Sequence, residues 1–357
     1  MTESTSSVPA GVLIVGGGLV GASLAIALDQ AGVAATLVEA VAPRVAAPPS
    51  HDDRNLALAR ASVNALAALG VWPYAVARAT PIRHVHVSRA GEFGATRIDA
   101  AAHGIDALGW TLPGRELGAA LTARLAECTR LTRLAPARLR GLAPLAAGWR
   151  AELETDAGTR RLDAALVVGA DGTHSFVRQA LGIGAAEHDY RQTLFVATLA
   201  TERAHANRAW ERFADGGPVA LLPLAERRCG LVLTLPEAQA EAVAALDDAA
   251  FLALAQERFG WRLGRFSDLG KRHPYRIVRV TAERLVAPRA VLVGNAAQSV
   301  HPIGAQGFNL GLRDALTLAE LAAAAPDPGD AELLARYAAR RAPDREGTMA
   351  MSHGLVQ

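Results

Sequence analysis

Residues 12–40 read VLIVGGGLVGASLAIALDQAGVAATLVEA, and few folds accommodate that order of residue types. A short apolar run meets a glycine cluster, a helix-forming stretch follows with Gly32 as a C-cap, and a second apolar run begins within about 30 residues, which is the length of a β-α-β unit. Gly16, Gly18 and Gly21 form a G-x-G-x-x-G between the first strand and the helix. In such a turn the first glycine permits the tight bend, the second lets a pyrophosphate approach the backbone, and the third lets the helix lie close on the strand. The helix N-terminus then offers unpaired N–H groups to phosphate. Glu39, ending the second strand, is placed to accept hydrogen bonds from the ribose of an adenosine. A tight turn with no ligand is the plainer alternative, and the motif alone does not separate FAD from NAD.

The chain of 357 residues is long enough for two domains or for one large α/β unit with an inserted sheet. Its net charge is only +2, and no Lys/Arg stripe is interleaved with aromatics, which excludes nucleic acid as an expected partner. Two cysteines, Cys128 and Cys229, lie far apart without C-x-x-C spacing, so no metal site and no disulfide framework is expected. The first residues, MTESTSSVPA, lack a basic start and an apolar run, and no window reaches the roughly 20 apolar residues of a spanning helix. A cytoplasmic protein, soluble or peripheral to the inner membrane, is the expectation.

Further along, residues 40–53 are rich in Pro and small residues and read as a loop. A helix is expected over 56–69, a hairpin over 84–98, a helix over 115–128, and a hairpin leading into a buried strand over 149–169. Residues 191–275 read mainly as strands, interrupted by a helix over 247–259. Another buried strand enters a glycine-rich loop near 294, and a helix follows over 309–324. The fold class expected is α/β, a Rossmann-like dinucleotide-binding domain with an interleaved, mostly-β domain. The first comprises residues 1–75, 105–182 and 278–357; the second comprises 76–104 and 183–277.

Two more segments carry chemistry. VVGADGTHSFVRQALG places Asp171, Gly172, Ser175 and Arg178 in a D-G-x-x-S-x-x-R spacing after an apolar strand. On a plain reading Asp171 caps a helix and Arg178 makes a surface ion pair. VLVGNAAQSVHPIGAQGFNLGLRDALTLAE brings Gly294, Asn295, Pro302, Gln306, Gly307, Phe308 and Asn309 into one strand–loop–helix stretch. Its glycine-rich turn would present N–H donors to a ring that becomes negative on reduction.

These three segments, in this order, resemble the three fingerprints of flavoprotein aromatic hydroxylases, the third usually written G-D-A-A-H-x-x-x-P-x-x-G-Q-G-x-N-x-G-x-x-D. Nine positions match in the third: Gly294, Ala296, Ala297, Pro302, Gln306, Gly307, Asn309, Gly311 and Asp314. The pieces DDRNLALA, WERFADGGPVALLPLAERRCGLVL and FGWRLG, with Asn295 and Gln298 in place of Asp and His, are similar to the 2-polyprenyl-6-methoxyphenol hydroxylase branch of the ubiquinone-biosynthesis hydroxylases. The resemblance covers nearly the whole chain and implies a para-hydroxybenzoate hydroxylase-like fold, which makes the Rossmann-like domain FAD-binding and the mostly-β domain substrate-binding. It implies FAD as cofactor, NAD(P)H as a transient reductant, and O2 delivered to a polyprenylated phenol through a flavin hydroperoxide. By it, Arg54 and Arg115 join Gly16, Gly18, Gly21, Glu39, Asp171, Gly294, Asn295, Pro302, Gly307, Phe308 and Asn309 as flavin-contacting residues. His301, Pro302 and Gln306 become the catalytic candidates, and Pro223 with Pro302 shapes the ring pocket. A lone His in such a loop is more often a structural hydrogen-bonder. A ubiquinone-biosynthesis protein assembly and a peripheral membrane contact are the partners implied.

The chain departs from the family at Gly304-Ala305, where relatives read Ala-Gly; Ala305 does not reach φ > 0 cheaply. Relatives also continue past SHGLVQ, so the chain reads as stopping short of further helical sequence. Competing readings are a halogenase or isoprenoid reductase sharing the fingerprints, an FAD hydroxylase of another aromatic, a non-catalytic flavin-bound scaffold of a quinone-biosynthesis assembly, and a nicotinamide dehydrogenase. The halogenase lacks its W-x-W-x-I-P segment in this chain.

Overall fold

The computed structural model describes residues 11–41 and 54–356, so residues 42–53 of the expected Pro-rich loop fall outside the described residues. A six-stranded sheet has the order Val286–Ala287, Ala290–Leu292, Leu166–Gly169, Val12–Val15, Ala35–Val38, Leu131–Leu134. Every neighbouring pair is parallel except the first. Parallel strands covered on both faces need unbroken apolar runs. Val12–Val15, Leu166–Gly169 and Ala290–Leu292 meet that need, being buried along their whole length. Because these three strands are adjacent and parallel, their C-terminal ends, where the three fingerprints begin, open side by side. In open α/β sheets that edge is where ligands bind.

A second, eight-stranded sheet takes strands from two distant parts of the sequence. The hairpin His84–Arg89 and Thr96–Asp99 joins it by parallel pairing of His84–Arg89 with Arg208–Phe213. Val219–Pro223, Arg228–Pro236, Ala185–Thr201, Phe266–Ser267 and His273–Ala282 complete it. Side chains alternate across a pleated strand, and the two faces differ. One face packs Phe195, Trp210, Leu221, Leu231 and Leu233 against Phe251 and Phe259 of the helix Asp248–Phe259. The other carries Leu194, Val196 and Ile277 with Tyr190, Val232 and Tyr275. That second face meets the strand Asn55–Ala59 and the loop at His301. A Cβ on Gly230 would come within 2.4 Å of Asn55 Nδ2, and the Tyr190 ring lies 4.8 Å from that of His301.

One expected element changes type at its start. The helix expected over 56–69 is a strand, Asn55–Ala59, followed by the helix Arg60–Ala68. Leu and Ala favour helix locally, but here the strand pairs with Gly109–Pro113 and its main chain is held by a side chain from 250 residues away. The helices Gly114–Leu125, Gln306–Ala323 and Ala331–Gly354 form; the Arg-rich sequence near the end of the chain belongs to the last, which contains Pro343. Among the described residues no helix is long and apolar enough to cross a membrane, and no group of His, Cys, Asp and Glu is arranged to hold a metal.

Candidate active site

The first glycine turn is explained by what surrounds it. Gly16 has φ +107°, and a Cβ there would fall 2.4 Å from the Ala170 carbonyl oxygen. At Gly21 a Cβ would fall 1.9 Å from the Gly16 carbonyl oxygen, so the helix Leu19–Gln30 lies against the turn only because that side chain is missing. Gly18 differs: a Cβ there meets no protein atom within 4 Å, and the helix it precedes has no side-chain cap. A turn with room at its second glycine and uncapped N–H groups behind it suits a pyrophosphate. Glu39 accepts a hydrogen bond from the Gly17 amide at 2.7 Å and from Val41 N at 2.9 Å, which fixes its carboxylate at the edge of this turn.

The second fingerprint ties the other two together. Asp171 accepts hydrogen bonds from Ser175 Oγ and from Val177 N at 3.0 Å, and Ser175 Oγ in turn accepts from Arg178 N at 2.9 Å. Both side chains therefore cap the short helix Phe176–Ala180, in keeping with the plain reading of Asp171. Arg178 does not make a surface ion pair. It is buried, and it donates to the Ala296 and Thr173 carbonyls at 2.9 Å each. An arginine used this way bridges the second strand end to the third fingerprint.

The third loop is held by side chains. Gly304 (φ +69°) and Ala305 (φ +51°, ψ +41°) are both left-handed and turn the chain into the helix Gln306–Ala323, whose N-terminus again has no side-chain cap. The expected conflict at Ala305 is thus real: the alanine takes the left-handed conformation rather than avoiding it. Asn309, 2% exposed, accepts from Ala59 N at 3.0 Å and donates to the Ala57 and Ala305 carbonyls at 3.0 and 2.8 Å. Its amide therefore clamps Asn55–Ala59 and the left-handed turn to the helix. Asp314 accepts from Gly294 N, Gln298 Nε2 and Arg341 Nε at 3.1, 2.8 and 2.7 Å. Burial pushes the Asp314 carboxyl up against the opposing pull of Arg341. Arg345 donates to Gln298 and to the Ala282 carbonyl, so Gln298, which replaces the usual His, joins the loop to the helix Ala331–Gly354.

Of the remaining candidates, Asn295 is exposed at the end of its strand, and Gly294 is packed so that a Cβ would reach Val20 at 3.1 Å. Pro302, Gln306, Gly307 and Phe308 are half-buried along the loop; Gln306 donates to the Gly304 carbonyl and Phe308 packs on the core. His301 is 1% exposed. Its Nδ1 accepts from Ile303 N at 3.1 Å, which leaves the proton on Nε2, 3.2 Å from Gln192 Oε1. Burial holds this imidazole down to about 4, so it is neutral at physiological pH. Both nitrogens are engaged within the protein, which favours a loop-fixing role over a base. Arg54 and Arg115 sit together where the strands Asn55–Ala59 and Gly109–Pro113 pair, and Gly114 N donates to the Arg54 carbonyl at 2.8 Å. Both are exposed, Arg54 lying over the Tyr275 ring at 5.1 Å and Arg115 beside Glu116. The roles of Gln192, Arg341 and Arg345 had no sequence signal; Arg178 had one in its spacing, but its burial did not show.

The residues present suit FAD. Two uncapped helix N-termini and one open glycine turn converge at the ends of three adjacent strands, with Glu39 at their edge. That arrangement defines a dinucleotide-type flavoprotein oxidoreductase, with an apolar sheet face beside its loops. Known structures share the whole fold. PqsL of P. aeruginosa in complex with 2-aminobenzoylacetate has a TM-score of 0.79 at 24% identity, covering 96% of this chain and 95% of that one. p-Nitrophenol 4-monooxygenase PnpA of Pseudomonas putida DLL-E4 has 0.77 at 21%, covering 93% and 84%. Among curated relatives, ubiquinone hydroxylase UbiL of Rhodospirillum rubrum is 38% identical over 98% of this chain and 81% of its own length. The 3-demethoxyubiquinol 3-hydroxylase of Escherichia coli is 33% identical over 94% and 86%. The chain belongs to the FAD binding domain family, whose pattern matches residues 10–352, on the branch that holds these ubiquinone hydroxylases. It is an FAD-dependent monooxygenase.

Proposed function

We propose that the protein hydroxylates the ring of a polyprenylated methoxyphenol in ubiquinone biosynthesis, with O2 as oxidant and NAD(P)H as reductant. The observation that carries this reading is the 38% identity over 98% of the chain to a ubiquinone hydroxylase, joined to an apolar sheet face set against the flavin loops. Bound FAD supplies the means to activate O2 toward a closed-shell phenol; the protein contributes binding, orientation and a dry pocket. Gly16, Gly18, Gly21 and Glu39 hold the adenosine diphosphate part. Asp171, Gly294, Asn295, Pro302, Gly307, Phe308 and Asn309 position the rest, with Asn309 and Asp171 acting through the backbone they fix. Arg54 and Arg115 are the cations at the rim. Gln306 and Pro302 line the reacting side, and His301 keeps the loop in register. Residues 1–75, 105–182 and 278–357 form the flavin domain and 76–104 with 183–277 the substrate sheet. A tail as apolar as a polyprenyl chain resides in a bilayer, so peripheral contact with the inner membrane and membership of a biosynthetic assembly belong to this reading.

Product identification is the test. The purified yellow protein is given candidate alkyl-methoxyphenols, NAD(P)H and isotopically labelled O2, and the products are resolved by mass spectrometry. The reading expects one labelled oxygen in the ring and NAD(P)H consumption that rises with the phenol. Hydrogen peroxide as the sole product with every phenol would overturn it, and would favour the flavin-bound scaffold.

A further inference from the structure

Strand Arg208–Phe213 carries a carboxylate whose placement nothing so far explains. Trp210 on this strand points into the helix-covered core, 5.9 Å from Phe259 and 4.5 Å from His86 between ring centres. A period of two sends Glu211 to the opposite face. On that face the pairing aligns Val87, Glu211, Ala220, Val232 and Val196 in one row across the sheet. Val232 and Val196 belong to the apolar patch with Tyr190 and Tyr275. Tyr190 stacks edge-on against His301 of the flavin loop, and the neighbouring row holds Gly230, which abuts Asn55. Glu211 thus shares its face with two of the points at which the sheet touches the flavin domain.

Glu211 is half-buried on this face. Burial alone raises it, to about 7, with no hydrogen bond or charge of the described residues opposing the rise. Two cations face the same side of the sheet: Arg89, one row outward, lies over Phe213 and pairs with Glu92, and Arg54 lies over Tyr275 of the apolar patch. Asp314, fully buried, has three donors beside its carboxylate, whereas burial alone acts on the half-buried Glu211, and a carboxylate left without a donor keeps its capacity to take a proton from a bound group. An apolar wall with one polar group fits a phenol lying with its ring on the valines and its hydroxyl toward the acid.

Resting on the function proposed above, we propose that Glu211 is the catalytic base that accepts the phenolic proton while the ring is hydroxylated. In this step the phenol O–H bond breaks and a carboxyl O–H bond forms. The electron pair stays on the phenol oxygen and enriches the ring, and no oxidant is consumed. Water takes the proton from Glu211 after the product leaves.

The experiment compares two phenols in the FAD-loaded enzyme: a short-chain alkyl-methoxyphenol, protonated at neutral pH, and a polyfluorinated phenol already ionised there. In E211Q, hydroxylation of the neutral phenol falls at least about a hundredfold with more hydrogen peroxide, the ionised phenol stays within about threefold of wild type, and E211D recovers part of the loss. FAD content and the rate of flavin reduction stay unchanged. If E211Q does not retain FAD, E211A supplies the same comparison without a buried amide. Equal loss with both phenols, or loss with neither, overturns the proposal. A wild-type enzyme that hydroxylates neither phenol overturns the functional reading beneath it, and the proposal with it.

Discussion

The turn at Gly16–Gly21 and the loop at Gly304–Asn309, which the proposed function sets against one cofactor, are built on opposite principles. The first is shaped by missing side chains: carbonyl oxygens occupy the places where Cβ atoms of Gly16 and Gly21 would stand. The second is shaped by side chains that are present. The Asn309 amide binds the carbonyl of the left-handed Ala305, and upstream in the same fingerprint Asp314 holds Gly294 N while Arg345 holds Gln298 from another helix and Arg341 pairs with Asp314. Steric turns need only local sequence, whereas clamped loops need partners brought from far along the chain.

That contrast can be broken at several points. Gly16→Ala introduces a Cβ at 2.4 Å from a carbonyl and forces alanine to φ +107°; a loss of about 4 kcal/mol or more is expected in chemical denaturation. If the loss were under about 1 kcal/mol, the turn would not be steric in origin. Arg341→Ala leaves Asp314 buried without its cation, and about 3 kcal/mol or more should go. Restoration by Asp314→Asn in the same chain would sharpen the assignment.

His301 gives the loop a pH dependence. The unfolded imidazole takes a proton near its ordinary 6.5, while the folded one resists until about 4. The unfolded state therefore binds more protons between those values, and stability, complete above 6.5, is lost as pH falls through the window, by on the order of 3 kcal/mol at most. His301→Gln should flatten that slope when denaturation midpoints at neutral and acidic pH are compared with the wild type; an unchanged slope would remove His301 from the account.

Gly18→Ala tests the same turn from its open side. Its backbone is already in a region open to alanine (φ −64°, ψ −176°). Stability should move by less than about 0.5 kcal/mol while FAD affinity, read by fluorescence titration, falls about tenfold or more. The smallest effect is expected at Ala305→Gly, a gain of about 1 kcal/mol from relieving the left-handed alanine.

The same contrast explains what could be read from the sequence. The first β-α-β unit and its glycines were legible because strand, turn and helix interact within about 30 residues. The order of the three fingerprints located the loop that holds Asn309 and Asp314. Their partners were not legible: Asn309 bonds Ala59 from 250 positions away, and Arg341 reaches Asp314 across a helix packing that no local pattern announces. Residues 56–59 were read as helix because Leu and Ala favour it, and the pairing with Gly109–Pro113 decides otherwise. Glu211 was hidden differently. The alternation in Trp-Glu-Arg-Phe is plain, but which face of a sheet meets the flavin domain depends on how the two layers pack.

Flavin content measures the central claim most directly. Protein purified without added cofactor, or reloaded after the flavin is stripped, should hold one FAD per chain with a visible flavin spectrum. Gly18→Ala should weaken that binding and leave the fold intact. A colourless chain that is fully folded and takes up no FAD at any concentration would contradict the convergence of the three loops on one cofactor.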